Sequence, residues 1–266
     1  MSKVVFFDMD GTLLAQSDPT SIPCMSEYTK EILKEVRKQG HHLFIASGRP
    51  YAFLPEEVLE GYFDGFVLAN GSCILFQGES LYLQPLDAKR VKALVEEFDR
   101  RKIDYVLQGK IKSYIVNHTG VLKEFYTHCN VNFNYIVDHF DLDKAIKETV
   151  KIEVMPTTKE DEMYCLNLKD DYFNLMGEPP YALEIYSKLN SKASGIEMVL
   201  KQLKIDRKES YAFGDGMNDI EMLEHVGHSF AMDNASDEVK KHANEVCLSA
   251  CDDGVAKKLK ELFLGG

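Results

Sequence analysis

The run KVVFF (3–7) constrains this fold more than any other stretch. It is short, unbroken and apolar on both of its faces, the pattern of a parallel strand covered on each side. A strand of that kind needs a crossover helix before its parallel neighbour can be laid down. The chain supplies one in SEYTKEILKEVRKQG (26–40), where Tyr28, Ile32, Leu33 and Val36 form one stripe and Gly40 suits the C-terminal cap. HLFIAS (42–47) and DGFVLA (64–69) follow as the next strands, so the first part reads as right-handed βαβ units.

The same alternation returns near the end. KASGIEMVLKQL (192–203) places Ile196, Val199, Leu200 and Leu203 on one helical face. SYAFGDG (210–216) is a strand running into a glycine-flanked aspartate, HSFAM (228–232) is a further strand, and GVAKKLKELF (254–263) is a closing helix. Between these halves the sequence is more polar, tyrosine-rich and less regular. DAKRVKALVEEFDRRK (87–102) predicts a helix, and IDYVLQ with KSYIVN predicts a strand pair. The expectation is a doubly wound, mostly parallel Rossmann-like α/β sheet with an inserted α+β cap domain. Residues 1–82 and 186–266 would form the core, and 83–185 the cap.

In such a sheet, ligands bind at the carboxyl ends of the strands. Three predicted strands deliver polar residues there: Asp8 after VVFF, Ser47 after LFIA and Asp215 after YAFG. Asp8 and Asp10 lie two residues apart, and their mutual repulsion calls for a cation or a proton between them. A magnesium ion on hard oxygen ligands answers that need, with Asp215 and Asp219 of GDGMND as further donors. A carboxylate beside a metal and a phosphate can attack as a nucleophile, while its neighbour exchanges protons with leaving group and water. Gly11 and Thr12 predict a turn with backbone N–H groups open to anionic oxygens. SGRP (47–50) predicts a helix starting at Pro50 and capped by Ser47, a ready phosphate site, with Gly48 beside it and Arg49 reaching the leaving-group side. Lys192 can balance Asp8 and a phosphate as a compact charge.

With these residues placed, the sequence resembles the haloacid dehalogenase-like (HAD) phosphohydrolases, in particular the Cof-type sugar-phosphatase branch with its large α+β cap. DMDGT matches the first motif of that family, Ser47 of SGR the second, Lys192 the third and GDGMND the fourth. The resemblance implies Asp8 as nucleophile and Asp10 as general acid/base. It implies Mg2+ on Asp8, Asp10 and Asp215 with Asp219 in support, Asn218 near the phosphate, and Asn70 of LANG facing the cleft. The family lysine is often followed by glycine, whereas here KASG moves the glycine two places on, leaving Lys188 as the alternative.

The expected activity is therefore hydrolysis of small phosphorylated metabolites, such as sugar phosphates or phosphorylated cofactors, through an aspartyl-phosphate. A cap closing over the sheet edge would exclude water and large substrates. A phosphotransferase or mutase would use the same residues. A phospho-accepting signalling module is the reading from another class, but it needs neither Asp10 nor a hundred-residue insert. The formal net charge of −12 argues against nucleic acid or an anionic membrane as partner. Six scattered cysteines without CxxC spacing, and an N-terminus that enters a strand with no apolar leader, lead us to expect a cytoplasmic protein with free thiols. A monomer or small homo-oligomer is expected.

Overall fold

The structure, a computed structural model, describes residues 2–16, 21–129, 131–179 and 181–265. The chain divides into two compact units. The first comprises Met1–Gly48, Glu56–Leu81 and Ser191–Gly266, the second Arg49–Pro55 and Tyr82–Asn190.

The first unit is built on a sheet in the order Glu245–Cys247, His228–Met232, Ser210–Gly214, Val4–Phe7, His42–Ala46, Gly65–Leu68, Cys73–Phe76, Glu79–Leu83. The pairs from Glu245–Cys247 across to Gly65–Leu68 are all parallel, and Cys73–Phe76 turns back antiparallel to Gly65–Leu68. All four side chains of Val4–Phe7 are buried, as a strand covered on both faces requires. From Val4–Phe7 the chain builds outward in one direction to His42–Ala46 and Gly65–Leu68. From Ser210–Gly214 it builds in the other direction to His228–Met232 and Glu245–Cys247. Right-handed crossovers then place the helices on opposite faces. Glu27–Lys38 packs with Gly254–Leu259 on one side, and Lys192–Leu203 with Ile220–His225 on the other. The sheet is thus doubly wound, and its switch point falls between the strands that end at Asp8 and Asp215.

Local chemistry explains the helix limits. Ser26 accepts a hydrogen bond from the Thr29 amide at the start of Glu27–Lys38, and Ile32, Leu33 and Val36 point inward. Gly40, at φ +83°, ends the helix in the left-handed conformation that glycine adopts without steric cost. The closing helix Gly254–Leu259 continues into a wider π turn over Lys260–Leu264.

The second unit carries a six-stranded sheet in the order Phe173–Met176, Leu183–Ser187, Lys151–Met155, Asp104–Gln108, Ser113–Val116, Ile136–Val137. Its pairings are antiparallel except the last. The expected strand pair over 103–117 is present, as is the helix Ala88–Arg101, with Asp87 capping it. One sheet face packs against Val91, Val95 and Phe98 of that helix and against Ala145 and Ile146. On the other face Leu122 and Tyr126 of helix Val121–His128 meet Ala52, with Phe53 packed beside them. That helix has Gly120 at its N-cap and so no side chain to close its first turn. The buried Asp104 carboxylate replaces it, accepting from the amides of Thr119, Gly120 and Leu122 at 2.7, 3.0 and 3.2 Å.

The strand register brings Gln108, Lys151, Glu153 and Glu184 together in this unit. Lys151 donates to Glu184 at 2.5 Å and Gln108 to Glu153 at 3.0 Å. Burial pushes the Glu153 carboxyl up to about 7, against the opposing pull of Lys151. Between its ordinary value of 4.5 and about 7, the folded state keeps a proton that the unfolded chain has released. Stability supplied by that proton is complete below 4.5 and is lost as pH rises to 7, by roughly 3 kcal/mol in all. Glu153→Gln should therefore gain stability relative to the parent on going from pH 5 to pH 8, measured as urea unfolding midpoints. An unchanged difference between the two proteins at both pH values would remove Glu153 as the titrating group.

Candidate active site

Asp8 leaves the end of Val4–Phe7 with its amide still bonded to the Phe213 carbonyl, 3.0 Å away in the neighbouring strand. The residue is 8% exposed. The fully buried Lys192, first residue of helix Lys192–Leu203, places its ammonium between two carboxylates, 2.6 Å from Asp8 Oδ1 and 2.5 Å from Asp219 Oδ1. Burial raises the Asp8 carboxyl to about 7; Lys192 pulls it down, and Asp219 and Asp215 push it up. Burial works against the Lys192 charge, but Asp8 and Asp219 outweigh it and hold the ammonium protonated. Lys188, by contrast, bonds the Asp170 carbonyl at an exposed position of the second unit.

Asp219 spends its other oxygen, Oδ2, on the amides of Asp215 and Gly216 at 3.1 and 2.9 Å. It ties the loop together and steadies Lys192 rather than facing outward. Asp215 is half-buried, raised by that burial, and accepts from the Thr12 hydroxyl at 2.8 Å. Single oxygens of Asp8, Asp215 and Asp219 lie within 4.8 Å of one another. Such a set of hard oxygens suits a divalent cation. Asp219 is fully buried against Lys192 and the loop amides, whereas Asp215 is only half-buried, so Asp8 and Asp215 are the carboxylates best placed to hold one. Asp10 is exposed within the turn, yet near enough to push the Asp215 carboxyl upward.

Two expectations need correction. The amides of Gly11 and Thr12 are not open to a ligand: they donate to the carbonyls of Leu14 and Met9, each at 3.2 Å, and close the turn after the strand. Gly11 serves by its missing side chain, because a Cβ there would lie 2.3 Å from Asp215 Oδ2, and its φ is +82°. Ser47 caps no helix either. Pro50 is extended, and only a 3-10 turn, Tyr51–Phe53, follows, since Leu54 precedes Pro55 and is pushed to extended backbone. Ser47 remains at the sheet edge, buried, with its amide on the Val67 carbonyl. Arg49 belongs to the second unit, where it donates to the Phe53 carbonyl at 3.1 Å.

Asn70 sits in a left-handed conformation (φ +52°), its amide on the Ser47 carbonyl and its side chain buried. Gly48 passes so close that a Cβ would be 3.1 Å from Asn70 Oδ1, a buried oxygen with no hydrogen-bond partner. Asn218 is exposed beside Gly216. The sequence reading missed Asn234, which follows the strand His228–Met232 at the same sheet edge. It donates to the Gly11 carbonyl at 2.8 Å, contacts Asp215 Oδ2 at 3.4 Å, and accepts from the Ala250 amide. Its position after a strand end was the available signal. The glycine pair Gly71 and Gly195 was also missed. A Cβ on Gly195 would meet Val67 at 2.5 Å and the Gly71 Cα at 3.1 Å, so the displaced glycine of KASG is what lets this helix start close to the sheet.

A doubly wound sheet with a lysine-bound aspartate and further carboxylates at its switch point suits the chemistry of phosphate esters. The family described as haloacid dehalogenase-like hydrolase matches residues 5–259, and the chain belongs to it, as one of its phosphatases. A Bacillus subtilis relative named "Putative phosphatase YkrA" is 32% identical over 99% of this chain and 98% of its own. YitU of the same organism, a 5-amino-6-(5-phospho-D-ribitylamino)uracil phosphatase by name, is 29% identical over 98% of this chain and 97% of its own. A solved HAD subclass IIB sugar phosphatase is 25% identical, covers 98% of each chain and superposes with a TM-score of 0.75.

Gly71 carries a prediction. Its φ is +88° and a Cβ would sit 2.2 Å from the Ser191 carbonyl, one residue before Lys192. Gly71→Ala should cost at least about 1–2 kcal/mol from the left-handed backbone alone, and more from the clash. Urea unfolding at pH 7 measures it; a variant as stable as the parent would show that the approach relaxes without cost.

Proposed function

We propose that the protein is a magnesium-dependent phosphatase of small phosphorylated metabolites, working through an aspartyl-phosphate on Asp8. The observation that carries the reading is the ammonium of Lys192 fixed on Asp8 Oδ1, which orients the carboxylate for attack on phosphorus. A divalent cation held by Asp8 and Asp215, with the Asp10 backbone as a further oxygen and Asp219 in support, would neutralise charge on the transferring phosphoryl group.

Asp10, exposed within the turn, is accessible and suited to exchange protons with substrate and water. It protonates the departing alkoxide, then takes a proton from the water that hydrolyses the acyl phosphate. Thr12 and Asn234 hold Asp215 in place. Ser47, Asn70 and Asn218 are the neutral donors for phosphate oxygens, and Arg49 contacts the leaving group. We assign the second unit the role of cap, which excludes large substrates. The names of YitU and of the subclass IIB sugar phosphatase support a phosphorylated sugar, polyol or cofactor precursor as substrate class.

Phosphate release from sugar phosphates, pyridoxal phosphate and nucleotides should require magnesium and stop with EDTA. Asp8→Asn should abolish steady-state turnover; measurable turnover by that variant removes the nucleophile from Asp8. Asp10→Asn should lower kcat by about 10²- to 10⁴-fold, most for alkyl phosphates with poor leaving groups. Equal rates on alkyl phosphates before and after the change would take the proton transfers away from Asp10.

A further inference from the structure

Within the second unit lies a cavity of about 440 Å³ that none of the chemistry above uses. That volume falls in the range of small-molecule sites. Tyr114 and Phe140 provide an aromatic wall, their ring centres 5.1 Å apart and tilted by 50°. The Tyr114 ring is held by its hydroxyl, which donates to Glu148. Gly109 makes room for both, because a Cβ there would lie 3.3 Å from the Tyr114 ring and 3.4 Å from Glu148 Cγ. The wall is therefore fixed in place before any ligand arrives.

The rim is cationic in a chain that is otherwise acidic. Lys110 and Lys112 come from the turn between the strands Asp104–Gln108 and Ser113–Val116, and Lys144 from the helix Leu142–Glu148. His139 is fully exposed beside them. The two acids of the lining already accept hydrogen bonds. Glu148 accepts from Tyr114, and Asp141 accepts from the Lys144 amide at 3.1 Å as the helix cap. Three lysines against two acids leave the lining net cationic.

We propose that this cavity binds an anion carrying a flat ring, the ring against Tyr114 and Phe140 and the acid group on Lys112 and Lys144. The required ligand chemistry is an aromatic phosphate, sulfonate or carboxylate. Lysines recognise such groups as point charges, and the aromatic pair gives the ring an apolar surface of matching shape.

The test uses the full chain and 8-anilino-1-naphthalenesulfonate, a flat-ring anion that no phosphatase consumes, with binding read by fluorescence. We expect one saturable site, weakened at least tenfold in Lys112→Glu/Lys144→Glu. It should change less than twofold in Lys147→Glu, which alters an exposed lysine of the same helix outside the cavity, and in Asp8→Asn. The uncharged N-phenyl-1-naphthylamine should bind at least tenfold more weakly. The proposal is overturned if the double variant binds within twofold of the parent, if Lys147→Glu or Asp8→Asn weakens binding as much, if the uncharged probe binds as well, or if no saturable site is found.

Discussion

One ammonium group organises the first unit. Lys192 is completely buried, and a lone charge there would be untenable; two carboxylates at 2.5 and 2.6 Å make it tolerable. Each of those acids is in turn tied to a different element. Asp8 ends the first strand, and Asp219 grips the amides of the loop after Ser210–Gly214. Removing one member of such a buried group costs about 3–5 kcal/mol, because the others are left uncompensated. The arrangement therefore fixes strand end, loop and helix start together.

The turn after Asp8 extends this logic outward. Its amides are consumed in closing the turn, so its contribution is geometric: Gly11 makes space for Asp215, and Thr12 holds it. Asp8 and Asp10, two residues apart in sequence, end in opposite environments, one buried and lysine-bound, the other exposed. A tight turn straight after a buried strand thus sets two carboxylates in contrasting surroundings from one short peptide.

What could be read in the sequence was what local spacing determines. The strands ending in Asp8, Ser47 and Asp215 followed from apolar runs meeting polar residues, and the doubly wound sheet followed from alternation at both ends of the chain. Lys192 was found through its place at a helix start. One error is local: the Gly11 and Thr12 amides are consumed by carbonyls only three residues away, Leu14 and Met9, because the strand ends in a closed turn. The others lie where distant segments decide. Gly195 looked like a displaced motif residue because its partner, Gly71, lies more than a hundred positions away. Asn234 reaches Asp215 only because the strand His228–Met232 ends at the same edge, a fact of strand order rather than of local pattern.

The short segment Arg49–Pro55 has a consequence for how this architecture can vary. It belongs to the second unit, where Ala52 is buried in the cluster around Tyr126, and the Phe53 ring meets the Tyr126 ring edge-on at 5.0 Å. The second unit is therefore sewn from two stretches of chain, and residues 82–190 on their own lack part of the apolar lining of that face. Exchange of this unit between relatives as one contiguous cassette would leave Tyr126 facing a mismatched or missing partner. Its diversification must proceed by coordinated change at both stretches, so a seven-residue connector near the second motif evolves under the packing demands of a unit that begins some thirty residues later.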